Sequence, residues 1–175
     1  MPPGSREIAE SCLDLLNIEL VRSYSEQLKG RPELAGRRVE AIGFQVGQQL
    51  VERATKERPR FADHLEVIKF ICKDLWSDVF KKQVDNLKTN HRGTFVLQDT
   101  RFRWLTRLSS DVPPPGTPVS PSDTPAARAS AEAGAYLYFP CGLIRGALTN
   151  LGIPCTVSAE VNQLPACSFT IKIKP

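Results

Sequence analysis

Two histidines and five cysteines are the side chains of this sequence best suited to nucleophilic or metal chemistry: His64, His91, Cys12, Cys72, Cys141, Cys155 and Cys167. A thiol–imidazole pair must come within hydrogen-bond reach. His64 and Cys72 are too far apart for that, because on one helix their spacing separates them by about two turns, roughly 12 Å. Cys72 and Cys141 lie in apolar helical contexts and read as core. No two cysteines form a CxxC pair, and scattered thiols with two distant histidines do not make a zinc site. The count is odd, which suits reduced, buried thiols in an intracellular protein. No GxxxxGK[ST] phosphate loop occurs, and Gly43-Phe44-Gln45-Val46-Gly47 is not a dinucleotide fingerprint. Acidic pairs such as Glu57/Asp63 read as a solvated helix surface. The sequence therefore predicts no catalytic residue, no metal ligand and no cofactor.

Charge adds a weaker possibility. The formal net charge is +4 over 175 residues, short of the dense basic patch of a nucleic-acid binder. Lys81, Lys82, Lys88, Arg92, Arg101, Arg103 and Arg107 could gather on one side and meet an anionic surface. They read more simply as a solvated edge that guards a strand. The opening stretch MPPGSREIAESCLDLL lacks the features of a secretory leader. No apolar run approaches the roughly 20 residues of a membrane-spanning helix.

The elements that would position these residues are legible from periodicity. Ser5 to about Leu28 predicts a first helix with Leu15, Leu16 and Ile18 on a broad apolar face and Ser5 as a possible cap. Pro32 to about Lys56 predicts a second, with Val39, Ile42, Val46 and Leu50 at helical spacing. That helix carries Gly43 and Gly47, four apart. Each glycine costs about 1 kcal/mol against alanine in a helix interior, so the pair implies close approach of another backbone. Phe61 to Lys88 predicts a third helix with a wide stripe through Ile68, Cys72, Leu75 and Val79. Thr94 to Gln98 reads as a strand and Phe102 to Leu108 as its hairpin partner. Residues 109–134 hold six of the fourteen prolines and no aromatic residue, and predict a disordered insertion within a single domain. Its Ser-Pro and Thr-Pro pairs could accept phosphate, but a plain solvated loop is the simpler reading. Pro140 opens a fourth helix ending near Asn150, with Gly142 and Gly146 repeating the glycine spacing. Cys155 to Val161 and Ala166 to Lys174 read as closing strands. The order ααα-ββ-α-ββ predicts an α+β fold, with helices on one side of a twisted four-stranded antiparallel sheet.

Lys69 to Phe102, KFICKDLWSDVFKKQVDNLKTNHRGTFVLQDTRF, closely resembles the small-subunit family of TRAPP, the transport protein particle, and its subunit-six branch most of all. AIGFQVGQQLVER (Ala41 to Arg53) and PCGLIRGALTNLGIP (Pro140 to Pro154) resemble it too. The resemblance implies a non-enzymatic structural subunit of a vesicle-tethering complex that exchanges nucleotide on a Rab-family GTPase in ER-to-Golgi and Golgi transport. It implies pairing with a subunit-three-type partner through the first two helices, contact with the other TRAPP subunits, and a cytoplasmic location peripheral to cis-Golgi and ER–Golgi membranes. On that reading Leu15, Leu16, Ile42, Gly43, Val46, Gly47 and Leu50 line a heterodimer interface. The subunit-three type carries a lipid-modified cysteine after its second helix. Thr55 to Phe61 here holds none, so acylation is not expected. The rival readings are a small-ligand or lipid-binding module built around an apolar channel, and a thiol enzyme using Cys72 or Cys141.

Overall fold

The computed structural model describes residues 9–90, 92–106, 108 and 132–173. Helix α1 (Glu10–Gln27) turns through Gly30 into α2 (Pro32–Thr55). Pro32 sits at the helix start, where its missing N–H costs nothing. Helix α3 (His64–Phe70) runs through a π-helical turn (Ile71–Leu75) into α4 (Trp76–Phe80). Strands β1 (Asn86–Thr89) and β2 (Thr94–Asp99) follow. A short α5 (Arg103–Thr106) precedes α6 (Tyr138–Asn150), and β3 (Cys155–Gln163) and β4 (Ala166–Ile173) close the chain. The sheet is antiparallel throughout, in the order β1-β2-β4-β3. The expected α+β class therefore holds.

Three element assignments change. The third helix stops at Phe80, where Lys81 takes a left-handed conformation (φ 60°) and donates its N–H to the Ser77 carbonyl. Val84 N–H then bonds the Cys72 carbonyl at 3.0 Å and folds the chain back on the helix. Leu87, expected on the helix, lies on β1 opposite Leu97. Residues 103–106 form a helical turn, so the second neighbour of β2 is β4. The third helix also begins later than Phe61. Asp63 caps it, accepting from Glu66 N at 2.7 Å, which gives one member of the acidic pair a structural role. Most of the Pro-rich stretch and Ser5 lie outside the described residues. Within it, residues 132–134 are helical and Ala133 is buried.

The inner face of the sheet carries Phe95, Leu97, Phe169 and Ile171, all buried under the helices. Trp76, Phe80, Phe102 and Trp104 pack above them, with Phe80 4.9 Å from Phe102 and 5.0 Å from Trp104 between ring centres. A polar knot pins the end of β2 to this cluster. Buried Asp99 accepts from Trp76 Nε1 at 3.1 Å and from Lys82 Nζ at 2.7 Å. Lys82 also reaches Asp85 at 2.9 Å, and Thr100 donates twice to the same carboxylate. Burial pushes the Asp85 carboxyl up, but the Thr100 and Lys82 hydrogen bonds outweigh it and bring it down to about 2.

The most extensive helix contact is that of α2 with α6. Four glycines make it possible. A Cβ at Gly43 would collide with the Phe139 carbonyl, and one at Gly47 with that of Leu143. From the other side, Gly142 meets the Glu40 carbonyl and Gly146 that of Phe44. The two backbones interlock with nothing but hydrogen between them. Arg145 stacks its guanidinium 4.8 Å above the Phe44 ring and brings Nε within 2.9 Å of Glu40, fixing the register of the pair.

Candidate functional site

Gly43 and Gly47, expected at an interface with another subunit, are buried here against the chain's own α6, which accounts for the close approach their spacing implies. Ile42, Val46 and Leu50 are half-buried along the flank of α2, packed against the edge of the core.

The unusual element is α1, whose first turns are inside out. Asp14 is 2% exposed and Asn17 4% exposed, and both face the domain. Leu13, Leu15 and Leu16 are 44%, 59% and 66% exposed. At 100° per residue, Asp14, Asn17 and Val21 share one side of the helix, while Cys12, Leu15 and Leu16 fall on the opposite side. A helix serving only its own core would carry the reverse pattern. The buried carboxylate is held by Arg103 of α5, with Nε 3.1 Å from Oδ1 and Nη2 3.0 Å from Oδ2. This bidentate pair makes the inward face of α1 polar by design of the fold and leaves its leucines outside.

No constellation suited to catalysis emerges among the described residues. Cys72, Cys141, Cys155 and Cys167 are buried, and Cys12 is exposed. Burial pushes the Cys72 thiol up to about 12, and burial together with Glu40 does the same for Cys141. Burial also raises Cys167. Treating the folded chain with a maleimide at pH 7 is expected to label Cys12 within minutes and the four buried thiols only after denaturation. Mass spectrometry of the labelled peptides reads this directly, and rapid labelling of Cys72 or Cys141 would revive the thiol-enzyme reading. No group of His, Cys, Asp or Glu fit to hold a metal occurs among the described residues, and His91 lies outside them. No helix there is long and apolar enough to cross a membrane. The expected basic edge is partly neutralised within the chain: Lys82 serves Asp85 and Asp99, and Arg103 serves Asp14. Arg107 is outside the described residues.

One cleft lies close to these helices. About 610 Å³ in volume, it opens between α1, α2, the start of α6 and β3, and is lined by Val21, Leu28, Val39, Leu137, Val157 and Ala159 among others. Sequence reasoning missed it, because its walls come from four separate segments.

Comparison with known proteins places these features in context. The family described as "Transport protein particle (TRAPP) component" matches residues 13–174. Trafficking protein particle complex subunit 6B of Homo sapiens is 46% identical over 169 residues, covering 94% of this chain and 97% of that protein. Subunit 6b of Danio rerio is 44% identical over 168 residues, with the same coverage. Human subunit 6A is 44% identical over 135 residues, covering 77% and 76%. Among solved structures, a trafficking protein particle complex subunit 3 from Naegleria fowleri, covalently bound to palmitic acid, superposes with a TM-score of 0.70. It covers 97% of this chain and 98% of its own at 13% identity, a likeness of fold.

Proposed function

The chain belongs to the transport protein particle (TRAPP) component family, and from that premise we propose that it is a non-enzymatic structural subunit, which pairs with a subunit-three-type partner through the outer face of α1. The observation that carries this reading is the inversion of α1: a buried carboxylate and amide on the inside, and two of the most exposed large apolar side chains, Leu15 and Leu16, on the outside. Leaving such leucines in water is unfavourable by about 25 cal/mol per Å², and a partner helix supplies the missing cover. Ile42, Val46 and Leu50, half-buried on α2, extend the apolar surface. Gly43 and Gly47 contribute indirectly, by seating α2 on α6.

In this role the chain holds the tethering complex together, and the complex as a whole acts on a Rab-family GTPase at ER–Golgi and Golgi membranes. Membership of the family supports that setting, and attachment to membrane comes through the assembly. Lipidation of the subunit-three kind has no acceptor here, since no cysteine lies between Cys12 and Cys72.

The double substitution Leu15→Asp/Leu16→Asp tests the reading. Both side chains are solvent-facing in the isolated chain, so its circular dichroism and melting should be unchanged. Affinity for a recombinant subunit-three-type partner, measured by isothermal titration calorimetry, should fall at least about 100-fold, as loss of central apolar contacts does. Unchanged affinity would remove α1 from the interface.

A further inference from the structure

Among the described residues, the sheet ends on one side in β3, which pairs with β4 alone, in regular antiparallel register from Cys155↔Ile173 to Val161↔Cys167. Among the described residues, no backbone hydrogen bond joins residues 156–163 to any other element. In an antiparallel ladder alternate residues direct both N–H and C=O away from their partner, so β3 presents about four such residues outward. Exposed edges are ordinarily shortened or guarded by lysine or proline. The opposite edge follows that rule, since β1 has four residues and includes Lys88. β3 runs for nine residues, CTVSAEVNQ, with one charge and no proline. Its irregularity is confined to the far end, between Val161 and Gln163.

The surroundings of this edge match an added strand. Val157, Ala159 and Val161 point to the helix side of the sheet yet are only half-buried. The 610 Å³ cleft lies against Val157 and Ala159, roofed by Val21, Leu28 and Val39 of the α1–α2 hairpin. A strand laid about 4.8 Å beyond β3 would direct every second side chain into that cleft. The carboxylates lining it are Glu33 and Glu40, beside Tyr138 and Cys141. Glu40 is engaged by Arg145, which leaves exposed Glu33 to favour a basic residue on the occupant.

We propose that the β3 edge receives an extended segment of another subunit of the assembly, which joins the sheet as a fifth strand and seats alternate apolar side chains in the cleft, with a Lys or Arg beside Glu33. Main-chain hydrogen bonds supply affinity and the cleft supplies selectivity. A second copy of this chain fits poorly: pairing β3 with β3 about a two-fold axis puts both helix layers on one side, with each α1–α2 hairpin directed at the cleft of the other. The proposal rests on the reading above only for the source of the segment, since β3 and the outer face of α1 are separate surfaces.

Hydrogen–deuterium exchange on the purified chain and on the chain in the reconstituted complex tests both surfaces at once. In the chain alone, the outward amides of residues 156–163 should exchange rapidly. In the complex they should slow by at least about tenfold, as amides gaining a cooperative ladder do. Ser158→Pro and Ala159→Pro provide the control, because one of the two removes an outward N–H and leaves the β4 ladder whole. That variant should fold and enter the complex but lose the protection. The outer-face substitutions Thr156→Arg and Glu160→Arg should keep it. Rapid exchange in every state, slow exchange already in the chain alone, or protection lost to the arginines but not to the proline would each overturn the proposal. Protection of residues 10–21 without residues 156–163 sinks the added strand and spares the α1 interface, and the opposite pattern does the reverse.

Discussion

Gly47→Ala is expected to lower the melting temperature of the isolated chain by roughly 6–12 °C. The new methyl would overlap the Leu143 carbonyl and crowd its Cα and carbonyl carbon. These are backbone atoms in the middle of α6, so no rotamer change relieves the clash and the two helices must separate. Overpacking of a tight contact costs about 1–3 kcal/mol and occasionally more. A rigid backbone obstacle exceeds that range, at about 4 kcal/mol, so that about 3 kcal/mol remains after the gain of about 1 kcal/mol in helix propensity. A net loss of about 3 kcal/mol in a domain of this size shifts the midpoint by about 2–4 °C per kcal/mol. Gly134→Ala is the matched control, since a Cβ there meets nothing within 4 Å and should leave the midpoint unchanged or slightly raised. If the two variants melted alike, α2 and α6 would not lie in backbone contact.

Arg103→Ala should destabilise the chain by about 1.5–3 kcal/mol, because it removes charge-assisted hydrogen bonds from a carboxylate that is almost wholly buried. Asp14 is almost wholly buried, and the two nitrogens of Arg103 grip it in a fork. The double variant Asp14→Ala/Arg103→Ala should recover part of the loss, with a coupling of about 0.5–3 kcal/mol. Urea unfolding of the four members of the cycle gives the coupling directly. A cost below about 1 kcal/mol for Arg103→Ala would mean that the pair does not hold α1. The consequence for function follows from position: this ion pair fixes which side of α1 faces out, so Arg103→Ala should also weaken partner binding even though Arg103 lies on the inward side.

The pattern of misses in the sequence reading is itself physical. Helix positions, strand β2, the closing strands and the α+β class follow from periodicities of 3.6 and 2, which are local. The glycine spacings at Gly43/Gly47 and Gly142/Gly146 were legible as close-approach signals. That each pair serves the other was not, because spacing states how near a backbone comes and not whose it is. Val84 and Leu87 continue the helical stripe of α4 in sequence, and only the left-handed Lys81 and the Val84–Cys72 hydrogen bond show that the helix has ended. The inversion of α1 was hidden for a similar reason. Leu15 and Leu16 could be read as apolar, but the burial of Asp14 depends on an arginine 89 residues away. The site was thus half readable: its leucines are evident in the sequence, and the polar contact that turns them outward exists only in the fold.

The central claim is that this chain works as a paired subunit of a TRAPP assembly. The most direct measurement is affinity purification of the tagged chain from its own cells, with quantitative mass spectrometry of what accompanies it. The account predicts recovery of the other TRAPP subunits, with a subunit-three-type protein in near-equimolar amount and its loss from the Leu15→Asp/Leu16→Asp variant. A chain recovered as a monomer, without TRAPP subunits, would contradict it.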